Sequence, residues 1–385
     1  MIPVNELKIE PETVELKNRN TGEDHRFILR LYRDGDETGM IECIRSEYGE
    51  KYFKSYFYDP CWIREHAHSD KYTFFVAETE GRIAGMEIFV YSHGVDECIE
   101  PASEILHSDY RGTGLSPALV DYTYRILDRV SPCAVFVHAV TFHDATQITC
   151  EKEGMIPVGF RLGRFLSKNL HISYAKGRPD KYSEGIMILP MAKRSAGTIW
   201  LPEELVPFGK KIYDRLGVSC RILTASDTLT ETTDTEVAVT ETTDTKNTVS
   251  ATGRVQSDKH KCFEESEVDI TVDEVQQFVG VQVITEGRDL AEKMRALVSE
   301  YRGKGMYTIQ IALFDDTPSV LEIYERLKKI GFFFTGLKPV CGKREQFFMQ
   351  WMDEWNLFME DYVLTDSFRE IADDIGEFYG RRITD

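Results

Sequence analysis

The sequence predicts an α/β chain with mixed sheets, divided into two units of the same kind. Three observations carry this. The 385 residues exceed one ordinary domain at roughly 100–200 residues each. In the first half, apolar strand runs alternate with amphipathic helices in the order strand, helix, hairpin, strand, Gly-rich loop, helix, strand, helix. The second half repeats strand and helix in that order without obvious sequence identity.

The first strand is Phe27–Tyr32, and the polar turn Asp34-Gly35-Asp36 opens a helix over Glu37–Arg45. Tyr72–Glu78 and Ile83–Tyr91, joined at Glu80-Gly81, read as a hairpin. Cys98–His107 is the next strand. Leu115, Leu119, Tyr122, Ile126 and Val130 recur at helical spacing over Leu115–Val130. Ala134–Val140 reads as a buried strand, and a helix runs from about Asp144 to Glu153, stopped by Gly154. The second unit offers strands at Glu184–Met191, Phe278–Ile284, Met306–Leu313 and Glu345–Met352. Its helices are Pro202–Leu216, Asp289–Tyr301 and Ser319–Ile330. Ser367-Phe-Arg-Glu370 reads as a capping box opening a last helix. The expected divisions are 1–165, 166–360 and a tail at 361–385. A Thr-rich tandem repeat (Thr230–Val239, then Thr240–Val249) reads as a polar surface excursion within about 225–255.

Composition excludes several classes. A formal charge of -19 argues against nucleic acid and anionic membrane surfaces as partners. No run approaches the ~20 apolar residues of a membrane span, and Met1–Asn20 has no apolar signal-peptide core. The 8 cysteines form no C-x-x-C pair and are expected as reduced, mostly buried thiols of a cytoplasmic protein. His66 and His68 lack further ligands nearby, so no metal site is expected.

The chemistry concentrates at Leu106-His-Ser-Asp-Tyr-Arg-Gly-Thr-Gly-Leu-Ser116. A strand ends, Arg111-Gly112-Thr113-Gly114 forms a loop, and a helix begins. Amides gathered at a helix start suit a phosphate, and Arg111 adds a fork matched to phosphate oxygens. It is not a P-loop, since no Gly-Lys-Ser/Thr follows, nor a dinucleotide fingerprint, since spacing and position differ.

This segment resembles motif A of the GNAT N-acetyltransferases, an Arg/Gln-x-x-Gly-x-Gly/Ala loop for the pyrophosphate of acetyl-CoA. Arg111, Gly114 and Ser116 match in that register, and Gly112 matches the longer Tyr-Arg-Gly-x-Gly form. The family's Tyr-Glu-Lys-Leu-Gly-Phe helix end has its counterpart in Thr149-Cys-Glu-Lys-Glu-Gly-Met155, where Glu151, Lys152 and Gly154 match. Cys150 stands in place of the frequent Tyr acid, and His143 in place of an Asn. Ile323-Tyr-Glu-Arg-Leu-Lys-Lys-Ile-Gly-Phe-Phe333 resembles the same element again. The second-half loop, Thr285-Glu-Gly-Arg-Asp289, lacks paired glycines, and Arg302-Gly-Lys-Gly305 reads as a helix C-cap. The resemblance thus implies two tandem GNAT-like domains, the second degenerate and without a cofactor site.

It further implies direct acetyl transfer from acetyl-CoA, a cosubstrate, to the amine of a small molecule or protein. Cofactor contacts fall to Leu106, His107, Arg111, Gly112, Thr113, Gly114, Leu115 and Ser116. An amine near pKa ~10 must lose a proton to attack. Strand periodicity puts Glu100, Glu104 and Leu106 on one face, making Glu104 the first candidate base and Glu100 the second. Cys150 and His143 complete the catalytic candidates. The alternative is a non-catalytic acyl-CoA sensor, which the missing Tyr would suit. The acidic composition inclines the acceptor towards cationic amines such as polyamines, aminoglycosides, lysine or N-terminal amines.

Overall fold

The computed structural model describes residue 4 and residues 7–91, 97–170, 180–191, 197–227, 263–340, 344–353 and 357–381. The Thr-rich repeat lies outside the described residues. The first half contains β1 (Glu12–Lys17), β2 (Asp24–Leu31), α1 (Glu37–Tyr48), α2 (Pro60–Ala67), β3 (Tyr72–Thr79), β4 (Arg82–Tyr91), β5 (Ile99–Leu106), α3 (Leu115–Val130), β6 (Ala134–Val140), α4 (Ala145–Lys152), β7 (Ile156–Leu166) and β8 (Lys181–Pro190). A short parallel pair, β9 (Gly197–Trp200) and β10 (Cys220–Leu223), flanks α5 (Val206–Leu216). The second half contains β11 (Glu267–Asp273), β12 (Phe278–Thr285), α6 (Leu290–Gly303), β13 (Thr308–Phe314), α7 (Ser319–Lys328), β14 (Phe333–Lys338), β15 (Gln346–Met352) and the closing α8 (Asp366–Arg381).

Thirteen strands form one sheet in the order β1-β2-β3-β4-β5-β6-β8-β7-β14-β15-β13-β12-β11. β5 and β6 are parallel, and β8 and β7 follow antiparallel. β12 and β13 are likewise parallel, followed by β15 and β14 antiparallel. The same strand-helix-strand-helix-hairpin unit therefore occurs twice and meets itself head on. The first unit's pairing continues through β8, so residue 165 falls at the end of β7.

The two units join at β7 and β14 through the pair Gly159 and Gly336. A Cβ on Gly159 would lie 2.5 Å from the Gly336 Cα, so only glycine lets the backbones approach this closely. The Gln350 Oε1 accepts from the Leu162 amide at 3.0 Å across the seam. α8 covers the junction with Phe368, Ile371 and Ile375, all fully buried. The expected capping box is not formed: α8 begins at Asp366, the Ser367 hydroxyl donates to Glu151 on α4, and Glu370 pairs with Lys211 and Arg215. Those tertiary partners outcompete the local cap.

The core has two faces. Leu115, Leu119, Tyr122 and Ile126 of α3 pack on one, with Phe75, Phe89 and Ile99. Met40, Ile41 and Ile44 of α1 pack on the other, with Phe74, Met86, Ile88 and Ile105. β1 reads as alternating exposed and half-buried residues, a two-sided edge strand. The described cysteines 43, 61, 98, 133, 150 and 220 are all free thiols, and only Cys61 is exposed.

Candidate functional site

β5 feeds a single turn, Ser108–Tyr110, and then the loop into α3. Gly112 and Gly114 sit at φ +81° and +84°, conformations costly for residues with a Cβ. Gly114 is the N-cap of α3 and supplies no side-chain cap. Pro117 has no N–H to satisfy. The amides of Gly112, Gly114 and Ser116 donate to no acceptor among the described residues. A Cβ on Gly114 would meet nothing within 4 Å, whereas one on Gly112 would lie 2.6 Å from Asn20 Nδ2, so the open space is at Gly114. An uncapped helix start with free amides suits an anion in charge.

The remaining loop residues hold this arrangement. Thr113 is buried; its hydroxyl donates to the Tyr110 carbonyl at 2.7 Å and accepts from the Leu115 amide at 3.3 Å. His107 Nδ1 accepts from the Asp109 amide at 3.2 Å. Leu106 packs against Gly85, and Leu115 is fully buried. Leu106, His107, Thr113 and Leu115 thus brace the loop, while Gly112, Gly114 and Ser116 present it. The β1–β2 turn straps it from outside, with the Arg19 amide donating to the Gly112 carbonyl at 3.0 Å. Arg111 is ion-paired with Glu47 of α1, a partner that sequence pattern alone did not suggest.

The expected common face of Glu100 and Glu104 is overturned. β5 carries a bulge: Met86 faces Ile105 and Ile88 faces Ala102, so Ser103 and Glu104 together oppose Glu87. Ser103 sits at φ +54°. One extra residue inverts the alternation beyond it. Ile99 accordingly lies in the α3-side core and Ile105 in the α1-side core. Glu104 falls on the α3 face with Leu106 and Glu87, and Glu100 on the opposite face.

On the α3 face two carboxyl groups share one pocket. Glu87 is buried, and burial followed by the nearby Glu104 charge pushes it up to about 8. Thr123 Oγ1 lies 2.7 Å from Glu87 Oε2 and 3.0 Å from the Val120 carbonyl. A hydroxyl has one proton, so a protonated Glu87 donating to Thr123 satisfies both contacts. Glu104 is open to solvent but crowded by protein, and this burial raises it against the hydrogen bond from Ser116. With Glu87 holding the proton, Glu104 carries the pair's charge. Cys150 faces this pair; burial pushes its thiol up to about 12, which keeps it neutral. Burial lowers His143, which lies half-buried at the start of α4. Tyr124 of α3, raised by burial and then by Cys150 and Glu87, adds a neutral phenol to the same pocket.

On the other face, burial works to raise Glu100, but His138 and then Lys54 outweigh it and hold it down to about 2. His138 Nδ1 lies 2.8 Å from Glu100 Oε1. Glu100 is therefore a fixed anion and a poor proton acceptor. Between these two faces the parallel strands part: β5 and β6 share only the register pair Ile99–Val135. Beyond it, β5 and β6 share no further register pair as β5 runs towards the α3 loop.

Among the described residues, no group of three or more His, Cys, Asp or Glu is disposed to hold a metal, and no helix is long and apolar enough to cross a membrane. His66 instead stacks on Trp62 at 3.8 Å, and His68 lies 2.7 Å from Asp34.

No protein-family model and no curated protein matches this chain. Solved structures similar to it include the ribosomal-protein-S18-alanine N-acetyltransferase of Escherichia coli, at 14% identity and TM-score 0.34, over 43% of this chain and 94% of that one. An N-acetyltransferase of Staphylococcus aureus Mu50 matches at 12% identity and TM-score 0.35, over 43% and 99%. The spermidine/spermine N-acetyltransferase of Vibrio cholerae matches at 18% identity and TM-score 0.33, over 43% and 94%.

Proposed function

We propose that the chain is an acetyl-CoA-dependent N-acetyltransferase of GNAT type, active in its first half. The observation that carries this is the α3 loop, whose three free amides follow a strand that parts from its parallel neighbour. A pyrophosphate suits those amides, with Arg111 released from Glu47 as an added cation. The edge of β5 beyond Ile99 offers backbone groups to the amides of a pantetheine arm, as a sheet edge does to a peptide. The thioester then lies near the bulge at Ser103.

Glu104 takes a proton from the acceptor ammonium, directly or through water. The freed amine attacks the thioester carbonyl, the new C–N bond forms, the C–S bond breaks as the electron pair leaves on sulfur, and the nitrogen gives up its second proton to water. The thiolate takes its proton from solvent or from Tyr124; Cys150, a neutral thiol in the same pocket, is a further donor. A carboxylate raised by burial is a better base than a free one, which is why Glu104 is assigned this role and Glu100 is not. The same reading takes residues 166–360 as a degenerate partner domain and 361–385 as its tail. It takes the protein as cytoplasmic, from its cysteines without C-x-x-C pairs, and as having neither nucleic acid nor membrane as partner, from its charge of -19.

Thermal-shift titration with acetyl-CoA and longer acyl-CoAs, followed by an amine panel read by thiol release, tests this. A ligand that binds only the native state raises its melting temperature by mass action. No shift at millimolar acetyl-CoA rejects the reading; a shift without turnover on any amine supports a sensor instead.

A further inference from the structure

A second bulge lies in the β7–β8 pair. On β7, Arg161 faces Glu184 and Phe165 faces Tyr182, so three residues oppose Ser183 alone. The extra residues turn Arg161 and Arg164 to one side. Their guanidinium carbons stack over the same Phe278 ring at 4.9 and 5.0 Å. Arg161 Nη1 donates to Glu184 at 3.1 Å, and Arg164 Nη2 lies 2.9 Å from Asp273. Arg161 Nε and Arg164 Nε and Nη1 are buried and have no hydrogen-bond partner, though Arg164 Nε lies 3.9 Å from Glu184 Oε2. Orphaned guanidinium nitrogens are costly, and in pairs they point to an oxyanion.

The cluster reaches the first bulge. Lys54 Nζ donates to Ser103 Oγ at 2.8 Å, one residue from Glu104. Lys54 also feels the charges of Glu100, Glu184, Arg164 and Arg161. Lys54, Arg161 and Arg164 balance Glu100, Glu184 and Asp273, while burial and then the Arg164 charge lower the buried Lys181 to about 7. The groups keep 13–24% of their side chains exposed at Arg164, His138, Glu100, Arg161 and Asp273, as in a cleft and not a sealed core.

We propose that this cleft seats the carboxylate of an amino-acid acceptor between Arg161 and Arg164, with its amine towards the bulge at Ser103. A cleft with both signs of charge matches a zwitterion, and a polyamine would set a further cation against the arginines. The overall acidity of the chain, which favours cationic amines, is offset locally by these residues. This assignment rests on the proposed acetyl transfer, but its binding step does not.

The test uses the full chain with the twenty amino acids, their carboxamides, spermidine and aminomethylphosphonate. Thermal shift without acyl-CoA reads docking, and thiol release with acetyl-CoA reads transfer. Expected is preference for at least one free amino acid over its carboxamide in both, with the phosphonate weaker. Arg164→Lys and Arg161→Lys, which keep charge and lose the fork, should raise that KM roughly 10- to 100-fold, while acetyl-CoA still shifts the melting temperature as in the wild type. Docking without transfer would reject the transferase reading and keep this site. Preference for spermidine or carboxamides, no docking of any amino acid, or unchanged KM in both variants would overturn it; a stronger phosphonate would make the oxyanion a phosphate, and overturn it too.

Discussion

The two strand-to-helix loops of this chain occupy equivalent places in a repeated unit and differ in every property that ligand binding needs. Before α3 the loop is open: Gly114 faces empty space and three amides lack acceptors. Before α6 the equivalent loop is filled by the chain itself. A Cβ on Gly287 would lie 2.4 Å from the Glu265 carbonyl carbon. The Gly287 amide donates to Ser266 Oγ at 2.9 Å, and the Ser266 amide donates to Asp289 Oδ1 at 2.7 Å. The strands follow suit, since β5 and β6 share one register pair whereas β12 and β13 share five, Phe278–Thr308 to Gln282–Ala312. Tyrosine is distributed the other way. Tyr324 of α7 stands where α4 has Cys150, but its hydroxyl is bonded to Glu204 at 2.6 Å. The same topology can thus leave one helix start open and fill the other with the chain's own groups, with one strand pair parted and the other zipped.

The largest expected effect is on chemistry. Glu104→Gln should lower kcat about 10²- to 10⁴-fold and leave acetyl-CoA affinity near wild type, measured by steady-state kinetics beside calorimetry. Equal loss of both would mean that Glu104 shapes the cofactor pocket instead. Second, Gly287→Ala should destabilise the fold by about 1–3 kcal/mol in urea titration, because backbone atoms cannot yield, while the folded fraction binds acetyl-CoA normally. Third, Arg111→Ala should weaken acetyl-CoA by about 1 kcal/mol, roughly fivefold, since its exposed charge already has Glu47 as partner. Deleting 225–255 should change neither fold nor cofactor binding, as a polar excursion adds little core.

Glu87 gives a pH test of the open half. Its folded value, about 8, lies above the ordinary 4.5, so the folded state holds this proton more tightly than the unfolded one. That stabilisation is complete below about 4.5 and is lost as pH rises through about 8. Glu87→Gln should therefore gain on the wild type between pH 5 and 8.5 in urea midpoints. A pH-independent difference would show that Glu87 is ionised throughout.

The apolar runs made most of the fold legible: β3, β4, β6, β12 and β13 appear where hydrophobic strand patterns stand, and α3 where the 3.6-residue period does. β7 escaped because Ile156–Leu166 holds Pro157, Gly159, Gly163 and two arginines, a composition that reads as loop. β1 and β11 escaped because edge strands are half polar. The α3 loop was legible because its glycines are local signals. The acid pair was only half legible: Glu104 stood out, but Glu87 lies on another strand, and the bulge that unites them leaves no mark in a period-of-two pattern. Arg161 and Arg164 went unremarked for the same reason, as three residues apart on a strand should face opposite ways.

The most direct measurement is calorimetric titration of acetyl-CoA into the wild type, Gly114→Val and Gly305→Val. Gly114 has room for a side chain but sits at φ +84°, and a β-branched residue there would fill the space before the amides. Gly305, at φ +78°, follows the end of α6 and serves only to stop that helix. The account predicts one site per chain, lost in Gly114→Val and kept in Gly305→Val. Two sites, or binding that survives Gly114→Val and fails in Gly305→Val, would contradict it.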